Sequence, residues 1–490
     1  MVFPIAGGTQ DTGAYEISNS LRFNEPDGAH LSRTPSSAGN RKTWTFSCWI
    51  KRSGLQADVG DFQAFFTAGS GSNRDEFFWE ASNGHYDKLA WYGNYGGTAY
   101  GVRTSSVFRD VSAWYHIVWV GDTTQGTEAN RLKLYINGTQ QTLTEFNSGF
   151  LSQNTDMYFN NTTEHEIGSY TGETQHFAGY MSEINHIDGQ ALDPTYFAET
   201  NSNGVWIPKE YTGSYGTNGF FMQFKQTGTS ANSSGMGADT SGNDHHFTPS
   251  NLAATDVTTD TPTNNFATLN PLDQSNSYAQ NDATSGTFSE GNCNFSSAGQ
   301  IGGSERYYNT TATIAIPSSG KWYWEAKPNN GTNGLGFRWV MGLLASNHGY
   351  SNANFTEWTE AQGQRGAYKA DGTVWYNNSQ ISSGHGTPSV NDIISFKYDA
   401  DNRDFFVAVN GTYINSGNAV LTSSNITATD FLLIFLQNGS DGNVATAMNF
   451  GNAPFSISSG NSDANGHGNF EYAVPSGYFA LCTKNLAETG

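Results

Sequence analysis

Two strand-like stretches of this chain each end in Asn-Gly, the residue pair that most strongly indicates a tight β-hairpin turn. In the first, residues 131–136 alternate polar and apolar side chains and lead into Asn137-Gly138. In the second, residues 404–409 lead into Asn410-Gly411. Alternation with a period of two is typical of a strand that has one face in a core. Both halves of the chain are therefore predicted to contain antiparallel hairpins.

The composition extends this prediction to the whole chain. At 490 residues, the chain is longer than a single hydrophobic core usually supports. Charged residues make up only 14%, while 12 Trp, 24 Tyr and 32 Phe supply ample core material. Helix signals are almost absent. We therefore predict an all-β fold of two antiparallel β-sandwich (jelly-roll) domains in tandem, joined by an irregular segment rich in Ser, Thr, Asn and Gly.

Charge, hydropathy and cysteine content limit the partners and the cellular compartment that are expected for this chain. With 44 Asp and Glu against 23 Lys and Arg, the net charge of −21 would repel nucleic acid. No apolar run approaches the ~18 residues that span a bilayer, so no membrane insertion is expected. The chain starts without the basic leader of a secretory signal, so synthesis in a cytoplasm is expected. Cys48, Cys293 and Cys482 are expected to be buried thiols rather than disulfide partners.

Three segments in the first half resemble laminin-G-like (concanavalin A-type) jelly rolls. They are the strand Trp44–Ile50, the strand Trp114–Trp119 ahead of the first Asn-Gly hairpin, and Phe177–Leu192, which resembles the closing strand of that fold. The resemblance assigns residues 20–203 to a laminin-G-like domain. It implies a recognition module, and such domains often hold a Ca²⁺ ion near a binding rim. No Ca²⁺ ligand is placed in this sequence, and no other cofactor is predicted.

Residues 204–285 differ in composition from their flanks and are predicted to be a connecting segment packed between the domains. Within this segment, His245-His246 lies beside Asp239 and Asp244, a combination that could suggest a metal. A structural Zn²⁺ requires four converging ligands, however, and two adjacent His residues in a Ser/Gly loop are more often solvated. No metal site is therefore predicted.

The second half resembles the SPRY domain, which is also a β-sandwich. The matching motifs are Gly-Lys-x-Tyr-x-Glu from Gly320, Val-x-Gly ending at Gly342, Gly-x-Tyr-x-x-Asp-Gly from Gly366, Asp-x-Ile-x-Phe from Asp392, and the second Asn-Gly hairpin. The resemblance assigns residues 286–455 to a SPRY-like domain with an insert at Asn347–Gln364. Residues 456–490 are predicted to be a tail that docks back onto a domain.

The sequence contains none of the usual catalytic signatures. A jelly-roll glucanase carries two carboxylates on one strand in a Glu-x-Asp-x-x-Glu pattern, which is absent. The nearest pair, Glu183 and Asp188, has an odd spacing that would put its side chains on opposite faces of a strand. Nucleophile-elbow, phosphate-loop and His-Glu-x-x-His motifs are also absent. The protein is therefore not expected to be an enzyme.

Aromatic residues in polar, Gly-rich segments are the remaining signal. An exposed ring flanked by Asn, Asp and Gly suits sugar binding, because a pyranose stacks on the ring while amides bond its hydroxyl groups. The alternative is that these rings cap the ends of the sandwiches and are half buried. The candidate ligand-binding residues are Trp91, Tyr92, Tyr95, Tyr350, Trp358 and Trp375.

The tandem order of the two domains resembles large structural proteins of tailed bacteriophages, notably marine ones. That resemblance implies a non-enzymatic virion protein, such as a tail or head fibre, that binds host-surface glycan or protein and other virion subunits. Residues 1–19 would anchor it, and a trimer is implied by analogy with fibres, although no heptads are visible. Two alternatives stay open: a decoration protein that binds only virion subunits, and a glycan hydrolase with an unusual acid pair.

Overall fold

The computed structural model of the chain divides into two units at Thr263 and Asn264, and each unit is described by itself. The residues that it describes are 15–55, 61–82, 84–170, 175–273, 286–297, 307–330, 339–345, 365–377, 379–427, 432–439 and 444–489.

The first unit is built from two antiparallel sheets. Its strands are β1 (Ser20–Phe23), β2 (His30–Arg33), β3 (Thr43–Arg52), β4 (Gln63–Ser70), β5 (Asn73–Trp79), β6 (Leu89–Tyr95), β7 (Thr98–Thr104), β8 (Trp114–Asp122), β9 (Leu132–Ile136), β10 (Thr139–Gln140), β11 (Leu143–Asn147), β12 (His165–Ile167), β13 (Gly179–Asp188), β14 (Ala198–Thr200), β15 (Trp206–Pro208), β16 (Phe220–Met222), β17 (Thr248–Ser250) and β18 (Val257–Thr258). Short 3-10 helices lie at Glu25–Asp27, Glu128–Asn130, Pro194–Tyr196 and Ala254–Asp256. Sheet A has the order β10-β9-β8-β3-β13-β1-β18, with β16 also paired to β13, and sheet B has the order β11-β7-β6-β5-β4-β12-β2-β17. β14 and β15 form a separate hairpin.

Sheets A and B face each other across an aromatic core. Trp44, Phe46 and Cys48 of β3 point into this core, because alternate residues of a strand face the same side. Phe77 of β5 stacks on Trp119 of β8 with the ring centroids 4.9 Å apart. The predicted sandwich architecture is confirmed for this unit.

Residues 204–263 belong to the first unit, although they lie within the predicted connecting segment 204–285. β16 and β18 extend sheet A and β17 extends sheet B, while Tyr215 and Phe221 pack on the outer face of sheet A. Lys51 of β3 forms a buried ion pair with Asp260, with its Nζ 2.9 Å from the carboxylate. The composition was misleading because Ser, Thr, Asn and Gly are as common in the turns between short strands as in linkers.

Residues 15–19, predicted as part of the N-terminal arm, also pack on the outer face of sheet A. Ile17 contacts a cluster that includes Trp49, Trp114 and Tyr180. The Ser182 hydroxyl donates to the carbonyl of Asn19 at 2.6 Å. The described part of the predicted arm is therefore a component of the first unit, and residues 1–14 lie outside the described residues.

The second unit also contains two sheets. Its strands are β19 (Thr287–Ser289), β20 (Asn294–Ser296), β21 (Tyr307–Thr311), β22 (Lys321–Asn330), β23 (Trp339–Ala345), β24 (Arg365–Lys369), β25 (Val374–Tyr376), β26 (Ser379–Ser382), β27 (Ile394–Asp399), β28 (Asp404–Val409), β29 (Thr412–Tyr413), β30 (Leu432–Gly439), β31 (Ala445–Asn449) and β32 (Phe479–Ala480). Sheet C has the order β19-β20-β31-β22-β27-β28-β29 and sheet D has the order β21-β30-β23-β24-β25-β26, and the unit's largest core cluster lies between them. A 3-10 helix lies at Asn415–Gly417 and the helix α1 at Thr483–Thr489. Within the described residues, no helix could cross a membrane.

The C-terminal tail is fastened to the outer face of sheet C by a buried carboxylate. β32 pairs in parallel with β22. Glu325 of β22 accepts hydrogen bonds from the backbone N–H groups of Glu471 at 3.0 Å and Tyr472 at 2.9 Å. Its other partners include the Tyr323 hydroxyl at 2.9 Å, and burial raises the pKa of Glu325.

Both Asn-Gly hairpins are present, with the same geometry. Asn137 and Asn410 each have a φ of 47°, and the glycine after each has a φ of 77°, the left-handed pair that this two-residue turn requires. Each Asn side chain also accepts a hydrogen bond from a backbone N–H in an earlier part of the same unit. The donors are the backbone N–H of His116 at 2.8 Å and of Ile393 at 3.0 Å. The prediction of these turns is confirmed, and each turn is linked to its sheet.

Candidate functional site

The segment around Trp91 is a strand rather than a loop. β6 continues to Tyr95, and Gly96-Gly97 forms the turn into β7. Because successive side chains of a strand face opposite sides, Trp91 and Tyr95 lie against the core, whereas Tyr92 lies on the outer face of sheet B. The three rings, which are close together in the sequence, therefore lie on two different faces of sheet B.

Trp91 and Tyr95 bind a buried carboxylate of the protein itself. The Trp91 indole N–H donates to Asp75 at 3.1 Å, and the Tyr95 hydroxyl donates to the same carboxylate at 2.7 Å. A third donor is the backbone N–H of Tyr158 at 2.6 Å. Burial raises the pKa of Asp75 to about 7, and these hydrogen bonds oppose the shift. Trp91, one of the predicted ligand-binding residues, is 0% exposed and so presents no ring surface for stacking in this structure.

Tyr92 belongs to a group of five side chains that we call the arginine–aromatic face. The group consists of Arg74, Tyr92, Arg103, Phe146 and Tyr170, and each of them is half-buried. The guanidinium carbon of Arg74 lies 4.7 Å from the ring centre of Tyr92 and 5.0 Å from that of Tyr170. The guanidinium carbon of Arg103 lies 4.3 Å from the ring centre of Phe146. The face thus presents rings and guanidinium groups side by side.

The register of sheet B brings these residues together. Tyr92 pairs with Glu76 on β5 and with Gly101 on β7, and Gly101 pairs with Phe146 on β11. Directly paired residues share a face of the sheet. A Cβ atom at Gly101 would lie 2.3 Å from the Phe146 ring, so glycine is what lets the ring lie over this strand.

Buried carboxylates hold both arginines in position. Arg74 Nε donates to Glu76 at 2.5 Å, and Arg103 Nη1 donates to Glu80 at 2.7 Å. Glu76 and Glu80 are 4% and 3% exposed, so each is withdrawn from water and matched to one guanidinium. Burial raises the pKa of Glu76, and the charge of Arg74 opposes that shift. Because a guanidinium is a rigid plane, these pairs fix its position against the neighbouring ring.

Of the three remaining predicted binding residues, the structure describes Trp375. Trp375 lies on the outer face of sheet D in the second unit, where it packs beside a cluster that includes Val340 and Phe435. Its indole N–H donates to the Thr373 hydroxyl at 2.8 Å. Tyr350 and Trp358 lie outside the described residues, as does the rest of the predicted insert.

The acidic loop near His245 is stabilised by the protein's own backbone. The Asp239 carboxylate accepts hydrogen bonds from the backbone N–H groups of Phe221, Ser241 and His245, each at 2.8 Å. Its oxygens therefore hold the turn together. Among the residues that the structure describes, no group of three or more His, Cys, Asp or Glu is placed to hold a metal ion.

Glu183 and Asp188 hold different segments of the chain. Glu183 lies at a bulge in β13 with a φ of 49°, and it accepts a hydrogen bond from the Tyr15 hydroxyl at 2.9 Å. Asp188 accepts from the backbone N–H groups of Asn40 at 2.7 Å and Asn218 at 2.9 Å. Burial raises the pKa of Glu183 to about 7.

A Ser–His pair lies beside Glu183, but its hydrogen bonds run in the wrong direction to activate a nucleophile. The Trp206 indole N–H donates to Nδ1 of His116 at 3.1 Å, so the ring proton is on Nε2 and is donated to the Ser47 hydroxyl at 2.9 Å. Activation of the serine would require the reverse. Burial lowers the pKa of His116 to about 3. The cleft that these residues line has no room for a water molecule.

Comparison with known proteins supports the fold of the first unit. Residues 26–196 match the family model described as the concanavalin A-like lectin/glucanases superfamily. No curated protein matches the chain. The jelly-roll core that the match predicts is the sandwich of sheets A and B.

Similar solved structures are distant. A native heptameric SAP-like pentraxin from Limulus polyphemus is 14% identical, over 36% of this chain and 80% of that chain, with a TM-score of 0.27. The SPRY domain of human HERC1 is 13% identical, over 32% and 86%, with a TM-score of 0.23. Tailspike protein 2 of the Escherichia coli O157:H7 bacteriophage CAB120 is 14% identical, over 38% and 28%, with a TM-score of 0.25. At TM-scores this low, the likenesses are no evidence of function.

Proposed function

We propose that this protein is a non-enzymatic virion protein of a tailed bacteriophage, a fibre or appendage subunit, and that its first unit binds host-surface glycan through the arginine–aromatic face. The bacteriophage part of the proposal is supported by the tandem order of laminin-G-like and SPRY-like motifs. Its localisation would be the virion, with other virion proteins as its partners.

The geometry of the arginine–aromatic face carries the binding part of the proposal. Three half-buried rings, Tyr92, Phe146 and Tyr170, lie on one face of one sheet. A pyranose has an apolar C–H face that stacks on such rings, and its hydroxyl groups need donors and acceptors at the ring edges. The guanidinium groups of Arg74 and Arg103 supply donors there, and they are already ordered by Glu76 and Glu80. A pre-ordered face loses less conformational entropy when it binds.

Binding of the purified full chain to polysaccharide isolated from the host surface tests this proposal. Tyr92→Ala should weaken binding by about 10-fold, because one stacking ring is lost. The matched control is Tyr196→Ala, which removes a ring that is 48% exposed in the same unit but outside the face. Equal affinities for the two variants would contradict the proposed site.

Adsorption to host cells separates a fibre from a decoration protein. Saturable adsorption that blocks infection supports attachment to the host. No adsorption, together with labelling of intact particles in micrographs, would leave only contacts with other virion subunits. New reducing ends after incubation with the polysaccharide would contradict the non-enzymatic part of the proposal.

A further inference from the structure

The guanidinium charges of the arginine–aromatic face are offset by carboxyl groups and do not leave a positive surface. Each guanidinium has its own carboxylate, Glu76 for Arg74 and Glu80 for Arg103. Glu166 lies in the same row of the sheet, because Thr67 pairs with both Glu76 and Glu166. The face therefore carries two guanidinium groups and three carboxyl groups, all three of them at most 4% exposed.

A glycan that bears carboxylate or sulfate groups would bind weakly to these paired charges. To bind a guanidinium closely, its anion would compete with Glu76 or Glu80 and leave that carboxylate buried without its partner. The chain as a whole has a net charge of −21, which adds a long-range repulsion. Both effects act against an acidic sugar.

A neutral, hydroxyl-rich glycan neither competes with these carboxylates nor is repelled by the net charge of the chain. A guanidinium has five N–H donors. Glu76 and the carbonyl of Gly71 accept from Arg74, and Glu80 accepts from Arg103. The remaining N–H groups can donate to sugar hydroxyls without displacing a carboxylate, and the exposed hydroxyl of Thr144, paired with Arg103, lies at the edge of the same face. The rings supply the stacking surface.

We infer that the arginine–aromatic face selects neutral, hydroxyl-rich glycans over glycans that carry carboxylate or sulfate groups. This inference rests on the proposed function and adds the class of ligand to it. The paired carboxylates Glu76 and Glu80 act as the specificity determinants, because they occupy the positions that an anionic ligand would need.

The test uses the full chain and pairs of polysaccharides with the same backbone, namely dextran with dextran sulfate and agarose oligosaccharides with their sulfated forms. At least one neutral member should bind at least about 10-fold more tightly than its sulfated partner. Its affinity should change little between low and high salt, because no ligand charge is screened. Tighter or equal binding of the sulfated member, weakened by salt, would overturn the inference while leaving glycan binding in place. Binding to neither, and to no host polysaccharide, would remove the proposed function itself.

The double variant Glu76→Gln and Glu80→Gln tests independently whether these two carboxylates determine the specificity. It keeps the shape of both side chains and frees both guanidinium groups, so affinity for the sulfated member should rise by about 10-fold or more. The control is Glu145→Gln, an exposed residue whose side chain alternates with that of Phe146 on β11. If the double variant is folded by circular dichroism and shows no gain, the assignment of these carboxylates is wrong. If it does not fold, the salt dependence of the unmodified protein decides the inference.

Discussion

The outer faces of the two sheets of the first unit differ in composition, although both include some buried apolar side chains. Sheet A presents apolar side chains such as Val118 and Ile187, and later parts of the chain pack over them. Sheet B presents Arg74, Glu76 and Tyr92 at the equivalent alternate positions, and its rings stay half-buried. The difference indicates that the composition of the outward-facing side chains decides whether a sandwich face is covered by further apolar chain or keeps charged and aromatic side chains at its surface.

The largest effect on stability is expected for the buried ion pair between Lys51 of sheet A and Asp260, which lies in the later part of the chain that packs on this sheet. Asp260→Ala would leave the buried ammonium of Lys51 without its carboxylate, and it would also remove the acceptor of the Trp114 indole N–H at 3.2 Å. We expect the free energy of unfolding of the first unit to fall by about 3–5 kcal/mol. Urea denaturation followed by Trp fluorescence measures it. The control is Asp156→Ala, which removes a side chain that is 55% exposed and should change stability by less than ~0.5 kcal/mol.

A second prediction concerns how the stability of the first unit depends on pH through Glu183 of β13 in sheet A. Burial raises the pKa of Glu183 from 4.5 to about 7, so the folded chain holds this proton more tightly than the unfolded chain. The free energy of unfolding should therefore fall as the pH rises from about 4.5 to about 7, by up to about 3 kcal/mol from this group. Glu183→Gln should remove that part of the slope. A slope that is unchanged in the variant, measured by denaturation at a series of pH values, would assign it to other groups.

A smaller effect is expected where the ring of Phe146 lies over Gly101. Gly101→Ala would force this ring aside and destabilise the unit by about 1 kcal/mol. In a Phe146→Ala background the same substitution should cost almost nothing, because the ring that it displaces is absent. A double-mutant cycle with urea denaturation measures the coupling. Additive costs would show that the contact is unimportant.

The smallest effect on stability is expected for Tyr92, the ring proposed to stack on the glycan. Tyr92→Ala removes a half-buried ring on the outer face of sheet B and should lower the free energy of unfolding by less than about 1 kcal/mol. Its weakened glycan binding would then reflect the lost ring rather than a disrupted fold. A loss comparable to that of Asp260→Ala would instead mean that the outer face of sheet B is a structural core.

Local patterns in the sequence predicted the parts of the fold that depend on neighbouring residues. The Asn137-Gly138 and Asn410-Gly411 turns and the alternating strands before them need only short-range information. The residues from Trp91 to Tyr95 resemble a polar, Gly-rich loop in the sequence, because Gly93, Asn94 and the two glycines that follow β6 are typical of turns. The short strands in residues 204–263, within the predicted connecting segment 204–285, are hard to predict for a similar reason, since they are defined by partners far away in the chain.

The candidate site could be predicted only in part, and for a physical reason. Tyr92 was identified because its own neighbours are aromatic and polar. Arg103 and Glu80 are separated by 23 residues and meet only through the register of β5, β6 and β7. A single sequence does not specify that register, so it could not show that both arginines are paired. The matched charges that define the proposed ligand class emerge only in the folded sheet.

Residue-level oxidative footprinting, with and without a bound neutral glycan, tests the binding role of the arginine–aromatic face most directly. Hydroxyl radicals modify exposed aromatic rings, and mass spectrometry reports each ring separately. Ligand should protect Tyr92, Phe146 and Tyr170 while leaving the exposed ring of Tyr196 unchanged. Protection of Tyr196 or of the second unit's Trp375, with these three rings unaffected, would contradict the account.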